Sequence, residues 1–167
     1  MDKYQKRYLA HQKRKAKVLA EIIRERHSDR QFGNEDIDLS PIWEAIEKAP
    51  SSCSRKAIGT ICVADKDLKA LLGGLLVGGV GWVHRANVII LLFADTEAYK
   101  SPGEIDFMPY LDAGVIVEQV YLAATANDYA CCFVNPNVRE SNQKFFYERF
   151  GGEGSIFCGA IALGSKK

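Results

Sequence analysis

A chain of 167 residues with 47% hydrophobic content is long enough for one domain with its own core and too short for two ordinary ones. With 22 basic and 21 acidic side chains and a net charge of +1, the whole molecule is no polyanion binder by charge alone, so nucleic acid is not the expected partner. The longest apolar runs, Val88–Ala94 and Ile156–Leu163, fall far short of the roughly 20 residues of a membrane span. The charged amino terminus also lacks the apolar run of a secretory leader, which points to a soluble, cytoplasmic protein.

The first segment is strongly basic: Lys3, Lys6, Arg7, Lys13, Arg14, Lys15, Lys17, Arg24 and Arg26 stand against Asp2, Glu21 and Glu25. From Tyr4 to about Arg26 there is no Pro or Gly, and Leu9, Leu19, Ile22 and Ile23 lie among good helix formers, which predicts one helix or two. Residues 1–17 read as a basic extension, and residues 18–167 as a single domain packed from Val18 onward. Ser40-Pro41 followed by Ile42, Trp43, Ala45 and Ile46 predicts a helix with Ser40 as N-cap, ending before Pro50.

Thr60–Ala64 and Val88–Ala94, apolar runs ended by Asp65 and Asp95, read as buried strands. Between them Leu68 to Trp82, with Gly73-Gly74 and Gly78-Gly79, reads as a broken helix or loops. His84 stands where the third glycine of a dinucleotide fingerprint would follow Gly79 and Gly81, so that motif is absent. Tyr110 to Asp128, with Leu111, Val115, Val117, Val120, Tyr121 and Ala124, predicts the longest and most apolar helix, at the centre of the fold. Cys131–Val134 and Ser155–Leu163 supply two more strands. Strands and helices do not alternate strictly, which argues for an α+β fold over a doubly wound sheet.

Five cysteines, an odd number with no C-x-x-C pair, read as reduced thiols. Cys62, Cys132 and Cys158 lie in apolar runs and read as small core hydrophobes, while vicinal Cys131-Cys132 could bridge only with strain. His11, His27 and His84 are the only histidines and none sits in a recognised nucleophile context. Asp106, Asp112 and Glu118 read as helix-start and surface carboxylates, so no metal centre is expected.

Three segments remain as candidates for binding. Arg26-His27-Ser28-Asp29-Arg30-Gln31-Phe32 places two guanidinium groups and a hydroxyl at a helix end, a donor set that suits phosphate oxygens; its plain alternative is a solvated charge cluster. Pro50-Ser51-Ser52-Cys53-Ser54-Arg55-Lys56 combines a helix stop with hydroxyls and cations, able to present amides to a ligand or to serve as an ordinary polar loop. Phe133-Val134-Asn135-Pro136-Asn137 follows a strand and could cover a planar ligand, although an Asn-Pro turn needs none.

In this order the three segments resemble the nitroreductase family of flavoproteins. The resemblance also takes in Trp82-Val83-His84-Arg85-Ala86-Asn87, Tyr110-Leu111-Asp112-Ala113-Gly114 and Cys158-Gly159-Ala160-Ile161-Ala162-Leu163-Gly164, covering roughly Val18 to Gly164. It implies a mostly antiparallel central sheet flanked by helices, with a long central helix, and FMN bound at a homodimer interface. By the same resemblance Arg26, His27, Ser28 and Arg30 hold the phosphate and ribityl chain. Pro50, Ser51, Ser52 and Ser54 line the isoalloxazine of the partner subunit, and Phe133, Val134 and Asn135 lie beside the flavin N5 edge. The chain departs from the family where Ser54-Arg55-Lys56-Ala57-Ile58 replaces the usual Asn-x-Gln-Pro-Trp. It departs again at Pro136, and at its carboxyl end, where Lys166 and Lys167 stand in for a longer basic tail.

Two readings follow from the resemblance. The first is an oxidoreductase taking a hydride from NADH or NADPH through FMN to a small acceptor of nitroaromatic or quinone type, with no catalytic side chain of its own because the flavin carries the hydride. The second is a binding module on the same fold with weakened or lost flavin chemistry, using its basic amino-terminal segment to contact an anionic partner.

Overall fold

A computed structural model describes residues 2–101 and 103–167. Five helices and four strands follow in the order α1 (Lys3–Glu25), α2 (Ser40–Lys48), β1 (Ile58–Val63), α3 (Lys66–Leu75), β2 (Val88–Asp95), α4 (Met108–Ala126), β3 (Tyr129–Val134), α5 (Glu140–Phe150) and β4 (Ser155–Ser165). The strands form one sheet of order β1-β2-β4-β3 in which every pairing is antiparallel. The α+β architecture read from the sequence is the one observed.

β2 is buried along Val88–Ala94 because helices cover both faces of the sheet. Ile89, Leu91 and Phe93 point into one core with Leu72, Leu75, Phe146 and Phe150 of α3 and α5. Val88, Ile90, Leu92 and Ala94 point into the other with Ile42, Ile116, Val120 and Ala124 of α2 and α4. A strand packed on both sides reads as a continuous apolar run, which is how it was legible in the sequence. Between Leu92 and Phe93 the register with β4 shifts, and opposite the shift Gly159 takes φ +121°, a bulge conformation open to glycine.

Several expectations need correction. α1 is one continuous helix crossing Lys17-Val18 without a break, opened by a capping box in which the Asp2 carboxylate accepts from the Gln5 N–H at 2.8 Å and the Gln5 side chain accepts from the Asp2 N–H at 3.1 Å. It has no buried residue; Val18, Leu19 and Ile23 are about half exposed, and only Ala20, Glu21 and Ile22 of this stretch are partly covered. α1, not α4, is the longest helix. Leu39, not Ser40, is the N-cap of α2, and the Asp38 carboxylate accepts from the Ser40 N–H at 2.9 Å instead. The segment Leu68 to Trp82 is helical only to Leu75 and then leaves the helix, with Gly78-Gly79 in a short 3-10 turn, as expected of a broken helix, but Gly73-Gly74 lie inside α3, where the bare Gly73 lets His84 pack close. Cys62 lies exposed on edge strand β1, outside the core, whereas Cys131, Cys132 and Cys158 are buried.

Candidate functional site

The basic segment after α1 is held against the open edge of the sheet. Arg26 ends the helix, its N–H donating to the Ile22 carbonyl at 2.9 Å, and the chain then runs extended. Asp29 N–H donates to the Cys131 carbonyl at 2.9 Å, placing Ser28 to Arg30 along the outer edge of β3. Further on, Gly33 N–H donates to the Ser165 carbonyl at 2.8 Å, an approach so close that a Cβ on Gly33 would lie 2.6 Å from both the Lys166 carbonyl oxygen and Ser165 Oγ. The Asn87 carboxamide ties the same corner, donating to the Glu35 carbonyl at 2.7 Å and accepting from Ser165 N–H at 3.2 Å.

These contacts bring the two ends of the domain together. A cavity of about 390 Å³ opens between them, lined by His27, Asp29, Arg30, Gln31, Lys166 and Lys167. A smaller one of about 200 Å³ adjoins it at Gln31, Phe32, Arg85 and Lys167. Two of these side chains are paired within the chain: His27 Nε2 lies 3.1 Å from Asp29 Oδ1, and Lys166 pairs with Asp128. Arg30 is steered by stacking, its guanidinium 5.7 Å from the Trp82 ring centre, with Trp82 stacked on Phe32 at 6.4 Å. The result is a concave surface rich in Arg and Lys donors, suited to a phosphate group.

Tyr121 joins this corner to the central helix and to the end of β3. Its hydroxyl lies 2.9 Å from Ser28 Oγ and accepts from the Phe133 N–H at 2.8 Å, while Arg26 lies over its ring at 5.3 Å. Burial pushes the Tyr121 phenol up, keeping it a neutral hydrogen-bonding group. The sequence reading did not single out Tyr121 for a site; the available signal was a tyrosine inside the apolar stripe of α4, whose hydroxyl must find a partner when buried.

The structure therefore gathers Arg26, His27, Ser28, Arg30 and Phe133 around one corner. Val134 turns into the core and Asn135 is exposed beside Gly78. The Pro50–Ser54 loop is elsewhere, fastened by Ser52 N–H donating to Asp112 Oδ1 at 2.8 Å. Asp112 precedes Tyr121 by nine residues on α4, on the order of 13 Å along the helix axis. Asp112 is also not the surface carboxylate the sequence suggested: it is 4% exposed and accepts from the Tyr99 hydroxyl at 3.1 Å. The three buried thiols are not poised as nucleophiles, since burial pushes Cys131, Cys132 and Cys158 up, the last to about 11. Among the described residues no helix is long and apolar enough to cross a membrane.

Comparison with known proteins bears on the family and the fold. The family model of the nitroreductase family matches residues 75–165. An FMN reductase (NAD(P)H) of Bacillus subtilis strain 168 is 34% identical over 74 residues, 44% of this chain, and the matched stretch spans only 28% of that relative's length. Among solved structures, a protein of Desulfovibrio desulfuricans crystallised in complex with FMN is 25% identical, with a TM-score of 0.73 over 87% of this chain and 84% of that one. An FMN-dependent nitroreductase of Clostridium difficile R20291 superposes with a TM-score of 0.74 at 21% identity, over 87% of this chain and 86% of its own. A nitroreductase family protein of Clostridium novyi NT gives 0.74 at 20% identity, over 89% and 85%.

Proposed function

Because this chain belongs to the nitroreductase family, we propose that it is an FMN-dependent oxidoreductase, working as a homodimer, that passes a hydride from NADH or NADPH to a small acceptor of nitroaromatic or quinone type. The observation that carries this reading is the cationic cavity where Arg30, Lys166 and Lys167 meet beside Ser28 and Arg26. FMN ends in a dianionic phosphate on a polyhydroxyl chain, and the residues present fit that chemistry: guanidinium and ammonium donors at one end of the corner, a serine hydroxyl and a strand terminus at the other.

In this reading Arg26, Arg30 and Lys166 take the phosphate, with His27 at its rim and Ser28 on the ribityl chain. Phe133, Val134 and Asn135 border the reactive edge of the ring. Bound FMN would supply two-electron hydride chemistry at its N5. The chain's own residues bind and orient it: Trp82 holds the Arg30 guanidinium toward the cavity, and Tyr121 fixes Ser28 relative to the end of β3. Pro50, Ser51, Ser52 and Ser54 serve the ring bound by the partner subunit, a division supported by their fastening at the far end of α4.

The test is FMN titration followed by quenching of flavin fluorescence. Arg30→Ala removes a charged donor worth about 1.5–3 kcal/mol, so the FMN Kd should rise roughly 10- to 100-fold. An unchanged Kd overturns the assignment of this corner to the phosphate. A second reading, the flavin-free binding module, is favoured by one observation, the exposed length of the basic α1, and gains the field if wild-type protein binds no FMN.

A further inference from the structure

The loop between α2 and β1 is an unusually constrained piece of backbone. Cys53, Ser54 and Lys56 take φ of +49°, +55° and +53°, left-handed values that a residue with a Cβ holds only where the surroundings fix them. The fastenings are visible. Ser52 N–H donates to Asp112 Oδ1 at 2.8 Å, and Lys56 N–H donates to Ser51 Oγ at 3.0 Å. Lys56 Nζ donates to the Glu47 and Ala49 carbonyls at the end of α2 at 2.7 and 2.6 Å. Arg55 pairs with Glu104 and lies over Tyr99 at 5.9 Å.

Asp112 is the one charged member of this set that is buried. Its two carboxylate oxygens are divided between the loop, through Ser52 N–H, and the Tyr99 hydroxyl. A buried carboxylate with two donors is expensive to leave half-satisfied, so the loop amide is drawn to one place on the central helix. Among the described residues the hydroxyls of Ser52 and Ser54 and the Cys53 thiol make no hydrogen bond within the chain, and Cys53 and Ser54 are exposed. The loop thus ties down its backbone, partly through Ser51 Oγ, and leaves the side chains of Ser52, Cys53 and Ser54 free.

We propose that Asp112 is a positioning residue which, by clamping the Ser52 amide to α4, presets the strained 51–56 loop so that it presents its hydroxyls to the flavin ring without ordering on binding. This rests on the reading that the loop lines a flavin, and it goes beyond it in assigning the device that holds the loop. Preset loops bind tightly because the ordering free energy is already spent.

The experiment is amide hydrogen exchange of the full-length apoprotein, with FMN titration and thermal melting of the same samples, for wild type, Asp112→Asn and Asp112→Ala. Wild type should show a protected Ser52 amide, and exchange at the unprotected rate overturns the clamp with no variant needed. In Asp112→Ala the 51–56 amides should exchange at least tenfold faster and the FMN Kd should rise about tenfold. Asp112→Asn keeps an acceptor for Ser52 and should recover most of both. A lowered melting temperature in Asp112→Ala with loop exchange and FMN affinity unchanged makes Asp112 structural only and overturns the proposal. If wild type protects Ser52 but binds no FMN, the clamp stands as a loop device and the flavin reading fails separately.

Discussion

Tyr121 shows how one buried hydroxyl can order a surface. It is shared between Ser28 and the Phe133 amide, so the basic segment, the central helix and the end of β3 keep a fixed relation. In the sequence the charged residues at 26–30 stood out by composition, whereas Tyr121, Asn87 and Asp112 did not, because each takes its meaning from a partner at least 50 positions away in the chain. Cys62 was misread for a related reason: an apolar run does not disclose which of its members lies on an exposed edge strand. The buried thiols give a pH prediction. Burial raises Cys158 from its ordinary 9.0 to about 11, so the folded chain holds that proton more tightly than the unfolded one. Its contribution to stability is full below about pH 9 and is lost as pH rises through about 11. The urea midpoint should hold to about pH 9 and fall above it, less steeply in Cys158→Ala; a flat midpoint up to about pH 11 contradicts the assignment.

At the scale of elements, β2, β3, β4 and α4 were legible because burial leaves long apolar runs, whereas β1, expected to be buried, is an edge strand with only Val63 buried and was legible from its β-branched residues. α5 was missed. Its aromatic sequence favours helix weakly, and only Phe146 and Phe150 are buried, a single i, i+4 pair too short to register as a period. Of the two glycine pairs expected to interrupt the 68–82 segment, Gly78-Gly79 lies past the end of α3 and Gly73-Gly74 inside it; glycine normally disfavours helix interiors, but there Gly73 admits His84. The bulge between β2 and β4 depends on Gly159. A Cβ there would sit 2.5 Å from the Phe133 ring and 2.8 Å from the Val134 carbonyl oxygen, at φ +121°. Gly159→Ala should therefore destabilise by roughly 2–4 kcal/mol, combining backbone strain with overpacking. Chemical denaturation at unchanged slope measures it, and a loss below about 0.5 kcal/mol would mean the bulge relaxes freely.

Over the whole molecule, the cationic corner and the 51–56 loop lie toward opposite ends of α4. A homodimer about the central helix would let one copy's loop complete the other copy's corner, and the half-exposed Leu111 and Val115 of α4 together with Leu19 and Ile23 of α1 offer apolar surface for it. The family was legible because its motifs are local runs; a homodimer was expected only through the resemblance, since no local pattern states which surface meets which. Every functional role proposed above requires flavin to be held by this chain. The most direct measurement is the visible absorption spectrum of the purified full-length protein with added FMN, followed anaerobically on addition of NADH and then NADPH. An FMN-dependent oxidoreductase should show a protein-bound flavin band that bleaches with at least one nicotinamide; no flavin retained at saturating FMN would overturn that function.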